Sequence, residues 1–422
     1  MLTMLRRAAP SEIGGLRRNP VDPKARAVAE PIVDAIRKEG EPALRQYAEK
    51  FGELEEGGKL LLTRDVELKA AYDAISVDER EMLERTAARI RTFALAQRNA
   101  VAEVTIPIPG GEAGHTVEPV EAAGCYAPGG RYPLPSTVLM TACTARVAGC
   151  KRVVVASPRP SATTLAAAYV AEADYLMPIG GAHAIAALAY GAGEALEPCD
   201  AVVGPGNMYV TAAKSLVAGS VAIDMLAGPS EVLVIADEHA DAAVVAADLL
   251  AQAEHDPSAS SYLVCTSEAL ADAVDKELAA QLDALSTKEI AAQAMKNGCA
   301  VVVGSLDEAA AISDRLAPEH LELHVADSMG LKKKLKHYGG LFCGQGAAEV
   351  LGDYGAGPNH TLPTGGTARS TGGLCALTFL RVRTWMRVDD LAAAKTMVED
   401  AAMLGDLEGL AGHAAAARFR LR

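Results

Sequence analysis

From Cys125 to Gly344 short runs of β-branched and apolar residues alternate with longer stretches of helical periodicity. This alternation limits the fold more than any other feature of the chain. RVVVAS, EVLVIAD, SYLVCTS, AVVVGS and GLFCG read as strands of the kind buried in parallel sheets. Between them lie helical stretches such as SATTLAAAYVAEA and GAHAIAALAYGAG, while AVVGPGNMYVTAAKSLV gives strand, Gly-Pro-Gly turn and helix. Strands alternating with helices imply βαβ units and a mostly parallel sheet.

Two such sets follow one another, the second from Glu231. The expected fold is therefore α/β, with two Rossmann-like parallel-sheet units. The G-x-G-x-x-G fingerprint is absent, since GPGNMY, GQGAAE and GAGPNH all lack its third glycine. The loops YAPGGRYPLPS and VGPGNMY could still cradle a pyrophosphate at helix N-termini. Ahead of the sheets, helical periodicity covers Pro23 to Phe51 and Asp65 to Asn99, and IPIPGGEAGHTVEPVEAAG reads as a strand pair. The expected division is an N-terminal basic helix or arm, 1–20, and a discontinuous main α/β domain, 21–125 with 230–375. The second unit, 126–229, is inserted, and a helical tail, 376–422, ends the chain. Such a tail is too small to bury a core alone, so it must pack on the body or on another subunit.

At 422 residues the chain is long enough for more than one core. A net charge of −14 argues against nucleic acid and anionic membrane surfaces as partners. No apolar run approaches the roughly 20 residues of a membrane span. None of the eight cysteines forms a C-x-x-C pair, and buried, inert thiols are expected in SYLVCTS and GLFCG. The expected compartment is the cytoplasm, or an organelle such as a plastid if a transit peptide has been removed.

Four groups of residues carry chemistry. The helix entered at Asp241 places Gln252 and His255 three residues apart, on one face of its last turn, before Asp256-Pro257 stops it. A carboxamide oxygen and an imidazole nitrogen there can hold a metal or a polar substrate; solvated or capping residues fit the same pattern. In LAPEHLELHV a proline holds the chain extended, so Glu319 and His320 are expected to diverge and to serve two different proton transfers. A surface Glu-His pair at a strand start is the plainer alternative. Asp353 and His360 sit in a Gly/Pro loop, where turn formation also explains an Asp. Glu408 and His413 lie five residues apart, with a helix break expected at Gly412.

In order along the chain, YAPGG, GPGNMYVTAAK, DMLAGPSEVLVIAD, LLAQAEHDP, APEHLE, GDYGAGPNHTLPTGGTAR and EGLAGH match one known family. From about Asn19 to its C-terminus the sequence resembles histidinol dehydrogenase. The resemblance implies oxidation of L-histidinol to L-histidine through the aldehyde, with two NAD and one water. It implies one Zn2+ per site, held by Gln252, His255, Asp353 and His413, with the substrate's imidazole and amine completing the shell. His320 would take the alcohol proton and Glu319 would activate the water. Ser230 and Glu408 would bind substrate beside Gln252, His255, His320, Asp353 and His413. Tyr126 and Asn207 would line the NAD site, together with His183, which stands where the family usually has Gln. The family's active site is shared across a homodimer, which places Glu408 and His413 in the neighbouring subunit's site.

Leu226 replaces a usual proline, Ala347-Ala348 a usual Thr-Pro, and TWMRVDD departs from the family's pattern. None of these touches the implied zinc or acid–base residues. Two other readings remain: a zinc- and NAD-dependent oxidiser of another small alcohol, such as a hydroxylated sulfonate, and a zinc hydrolase using Glu319. The presence of Glu408 and His413 disfavours the first; two α/β units and no H-E-x-x-H helix disfavour the second.

Overall fold

A computed structural model describes residues 4–13, 19–129 and 132–421. Gly130 and Arg131 of the YAPGGRYPLPS loop, and part of the N-terminal arm, lie outside the described residues. One sheet has six strands in the order Leu62–Thr63, Tyr175–Met177, Arg152–Ala156, Ala122–Tyr126, Ala201–Val203 and Ala222–Ile223. All of its pairings are parallel except that of Leu62–Thr63. The other has five parallel strands, Cys299–Val302, Ser260–Cys265, Glu231–Ala236, His320–His324 and Gly340–Cys343. Counted along the chain, the five parallel strands of each sheet run in the same order, 3-2-1-4-5. Every residue of Ala122–Tyr126, Glu231–Ala236, Ser260–Cys265 and His320–His324 is buried, as cover on both faces of a parallel sheet requires.

Residues 21–125 are expected to share a domain with 230–375; their first helix and their last strand lie with the six-stranded sheet. Helix Pro23–Glu39 lies against helices Gly181–Tyr190 and Met208–Val217, and Ala122–Tyr126 is that sheet's central strand. The reason is a shared apolar surface of small residues: Ala25, Ala29 and Ile32 join Ala184, Ile185 and Leu188 in one core. Pro23–Glu39 begins where it does because Asp22 accepts a hydrogen bond from the Ala25 amide and Pro23 needs no partner at the first turn.

The N-terminal residues that are described form an extended arm, not a helix. Ala8 donates to the Ala300 carbonyl and Ala300 to that of Arg6, both at 2.9 Å, so the arm covers the outer edge of Cys299–Val302. Leu5 and Ile13 anchor it as buried side chains.

The expected strand pair appears as Val104–Ile108 and Gly111–Pro119, but a third strand joins it. Leu380–Val388 pairs antiparallel with Gly111–Pro119, so the tail is not helical from its start. The segment alternates Val382, Thr384, Met386 and Val388 with Arg381, Arg383, Trp385 and Arg387, a period of two that suits a strand. Helices Lys395–Leu407 and Ala411–Arg418 then fold back on each other, Gly405 passing close to the Ala414 backbone. The helix break falls at Gly409, whose φ is +74°, and not at Gly412, which lies inside the second helix. No helix among the described residues is long and apolar enough to cross a membrane.

Candidate active site

The amino ends of two neighbouring strands, Glu231–Ala236 and His320–His324, form the floor of a buried polar cluster. His320 pairs in register with Val232, which brings Ser230, Glu231, Glu319 and His320 to one rim. Helix Ala242–Ala253 runs antiparallel to the strand before it, so its C-terminal end returns to that same rim with Gln252. Gln252 is fully buried, and its side-chain amide meets His320 Nδ1 at 2.9 Å. The same end of the Gln252 side chain lies 3.2 Å from the Glu231 carbonyl oxygen and 3.3 Å from Glu349 Oε2.

His255 is not on the helix. The helix ends at Ala253, and His255 enters from the following turn, its side chain 40% exposed. The turn allows its Nε2 to come within 3.8 Å of Asp353 Oδ2 and 3.9 Å of Glu349 Oε1. Glu349 and Asp353 are the first and last residues of a short helix, four apart and hence on one face. His320 Nε2 stands 3.9 Å from Asp353 Oδ1. His360 Nδ1 is 2.9 Å from the Asp353 carbonyl, and its Nε2 is 3.2 Å from Thr137 Oγ1, linking this loop to the other sheet's unit.

Glu319 and His320 do not diverge. Glu319 precedes the strand and turns its Oε2 toward the Glu231 amide, 3.0 Å away, leaving that oxygen 3.9 Å from His320 Nδ1. Burial pushes His320 down to about 4, against the pull of Asp353, so its imidazole is neutral near pH 7. Burial drives the Glu319 carboxyl well above the usual carboxylate range. Glu349 is driven up in the same direction by burial and then by the charges of Asp353, Glu322 and Glu319. His255, Glu349 and Asp353 offer ligand atoms that all lie within 4.8 Å of one another. His320 Nε2 is buried without a hydrogen-bond partner beside them. Mixed nitrogen and carboxylate donors around crowded negative charge fit a divalent cation such as zinc.

Four residues of this cluster escape a reading of the sequence. Glu349 is signalled only by its spacing from Asp353. Glu322 and His324 alternate with His320 along one strand face, and Asp248 precedes Gln252 by one helical turn. His324 Nε2 lies 3.3 Å from Asp248 Oδ2 and 3.4 Å from Glu322 Oε2, while Glu322 Oε1 accepts the Glu349 amide at 2.7 Å. A second polar rung therefore supports the helix that carries Glu349 and Asp353. Glu408 and His413 are exposed on the tail and do not join the group formed by His255, Glu349 and Asp353.

The carboxyl ends of the first sheet's central strands mark a topological switch point. The strand order reverses there, because the chain builds outward from Ala122–Tyr126 on one side and then returns to its other side with Ala201–Val203. Open α/β sheets bind ligands at such reversals. Tyr126 closes one strand, and its hydroxyl accepts the Gly181 amide at 3.2 Å. Gly204 follows the other, at φ +116°, so close that a Cβ there would come 2.0 Å from the Tyr126 carbonyl oxygen. Asn207 is exposed and caps helix Met208–Val217 by accepting from the Tyr209 and Val210 amides. Asn207 thus takes up two of the amides that a helix start would otherwise offer to an anion. His183 is buried, its Nε2 2.8 Å from Glu53 Oε2 and its ring 5.3 Å from that of Phe51.

The sequence model of the histidinol dehydrogenase family matches residues 16–421. A histidinol dehydrogenase of Thermus thermophilus is 42% identical over 394 residues, covering 93% of this chain and 94% of that protein. The enzyme of Cereibacter sphaeroides is 42% identical over 404 residues, covering 94% and 92%. The crystal structure of histidinol dehydrogenase from Elizabethkingia anophelis superposes with a TM-score of 0.92 at 32% identity, covering 100% of this chain and 99% of that one. The chain therefore belongs to the histidinol dehydrogenase family of oxidoreductases.

Proposed function

We propose that the chain oxidises L-histidinol through L-histidinal to L-histidine, giving two hydrides to two molecules of NAD and consuming one water. The observation that carries this reading is the convergence of Glu319, His320, Gln252, His255 and Asp353 on one buried point, in a chain matching the family over nearly its whole length.

In the first oxidation the alcohol carbon loses a hydride and the oxygen a proton. His320 takes that proton at Nε2: its imidazole is neutral, and the Gln252 side chain holds the ring at Nδ1. In the second, water adds to the aldehyde carbon, Glu319 accepts the water's proton, and loss of a second hydride leaves the carboxylate. Burial raises the basicity of Glu319, and the Glu231 amide holds its orientation. Ser230 and Glu408 would bind the substrate's polar groups. Zinc would be held by Gln252, His255, Asp353 and His413 of the partner subunit, supplying a positive charge that anchors the substrate's imidazole and amine. NAD, the hydride acceptor, would lie between Tyr126 and Asn207, beside His183.

The proposed assembly is a homodimer in which each tail completes the neighbouring site. Two features support it: His413 lies outside its own chain's cluster, and the tail exposes Met386, Met403, Leu404 and Leu407, the last at 77%. A reducing cytoplasm is the inferred compartment, supported by eight unpaired cysteines, of which burial pushes Cys143, Cys150 and Cys199 to about 12.

The test is NADH formation from purified protein, NAD and L-histidinol, before and after chelation and zinc readdition. Two NADH per histidinol, lost on chelation and restored by zinc, is the expected result. Folded, zinc-loaded protein that forms no NADH from histidinol would overturn the substrate assignment.

A further inference from the structure

Behind the carboxyl ends of the first sheet's central strands lies a buried ion pair that neither oxidation step calls on. Lys214, on helix Met208–Val217, and Asp224, just past strand Ala222–Ile223, form a salt bridge with side chains 2% and 0% exposed. Both converge on one residue. The Lys214 ammonium donates to the Gly204 carbonyl at 2.8 Å, and Asp224 Oδ2 accepts the Gly204 amide at 2.7 Å. The other carboxylate oxygen meets the ammonium and also accepts the Met225 amide at 2.8 Å. Gly204 is thus gripped by both of its backbone groups.

We propose that Lys214 and Asp224 are positioning residues for the dinucleotide, acting through the Gly204–Asn207 loop; this rests on the switch point being the NAD site. Gly204 has to sit where it does. Its φ of +116° and the 2.0 Å approach of a notional Cβ to the Tyr126 carbonyl oxygen show a loop pressed against the strand end. Gly206 is equally tight against the start of the helix, where a Cβ would lie 2.4 Å from Val210 Cγ1. A loop compressed at both ends, with Asn207 occupying the Tyr209 and Val210 amides, fixes the loop backbone and the helix direction against which the cofactor's phosphates would lie. Stability alone does not account for the pair, because well-packed apolar residues of similar volume usually serve a core as well as two buried charges do. What an apolar pair cannot supply is a donor and an acceptor for the two backbone groups of Gly204.

The experiment compares wild type with the charge-neutral double variant Lys214→Met with Asp224→Asn, chosen because a single replacement would strand a buried charge and risk the fold. Lys214→Arg is the conservative control. Each zinc-loaded protein is titrated with NAD alone, and the KM for NAD and for L-histidinol are measured separately with the melting temperature. In the double variant NAD binding and its KM weaken by about 10-fold or more, while the KM for histidinol and the zinc content stay at wild-type values; Lys214→Arg recovers part of the loss. A folded double variant that binds NAD as wild type does overturns the proposal. So does a parallel rise of both KM values with a lowered melting temperature, since that marks a general structural role. Wild type that binds no NAD removes the cofactor reading and this inference with it, a result distinct from either of those.

Discussion

Gln252 and His320 meet at 2.9 Å although one closes a helix and the other opens a strand 68 residues later. The contact joins a proposed zinc ligand to the proposed base, so holding the metal and orienting the imidazole depend on the same side chain. Replacing Gln252 by Ala should therefore lower zinc retention and alcohol oxidation together. Metal content after dialysis and kcat for histidinol are the two readings; loss of one without the other would contradict the link.

His320→Asn removes the proton acceptor of the first step only. Oxidation of histidinol should fall by about 10²–10⁴-fold, and oxidation of supplied histidinal far less. Equal losses in the two assays would remove His320 from the role of base.

Glu319→Gln keeps an oxygen for the Glu231 amide but cannot take a proton from water. Its melting temperature should match wild type while histidinal oxidation drops by about 10²-fold or more. Normal histidinal turnover in this variant would assign water activation elsewhere.

Glu349 stands beside His255, Asp353 and Gln252 without being one of the four residues that the family resemblance names. Glu349→Gln should weaken zinc affinity by about 10–100-fold, as loss of a group supporting metal ligands does. Competition with a chromogenic chelator reads this directly, and unchanged affinity would make Glu349 a bystander.

His324 gives a pH dependence whose sign can be worked out. Burial alone would lower its pKa, but Asp248 and Glu322 together hold it up at about 9, above the ordinary 6.5. A group raised on folding contributes stability in full below about 6.5 and loses it as pH climbs through 9. The stability gap between wild type and His324→Gln should therefore be widest near pH 6 and shrink toward pH 9.5. Urea unfolding at several pH values measures it; a gap that widens with pH would refute the charged bridge.

The parts of this architecture that were legible in the sequence are those written in local periodicity. EVLVIAD and SYLVCTS announce buried strands because their apolar runs have no polar face, and the structure buries every residue of Glu231–Ala236 and Ser260–Cys265. Sheet order is not local: nothing near Ala123 or Ala201 says that these strands pair, because pairing is decided by packing across 78 residues. Helix Pro23–Glu39 joins the first sheet's unit for the same reason, through an alanine face that the sequence displays without naming a partner. At the site, Gln252 is readable from its helix, whereas His255 works because the helix has already ended. Glu349 was hidden in a helix of five residues, too short for a periodic signal. Leu380–Val388 carries a two-residue period, yet its mixture of arginines and apolar residues exposed on both faces lacks the burial contrast that marks a strand.

Both parallel sheets share one strand order, but the proposed chemistry sits at the amino rim of one and the proposed cofactor site at the carboxyl rim of the other. A doubled scaffold used from opposite rims sets two evolutionary demands on different strands. Changes that retune cofactor choice around Tyr126 and Asn207 need not pass through the strands that hold Glu319 and His320. For an engineer, nicotinamide preference and alcohol preference become separable targets, to be mutated in different halves of the gene and then recombined.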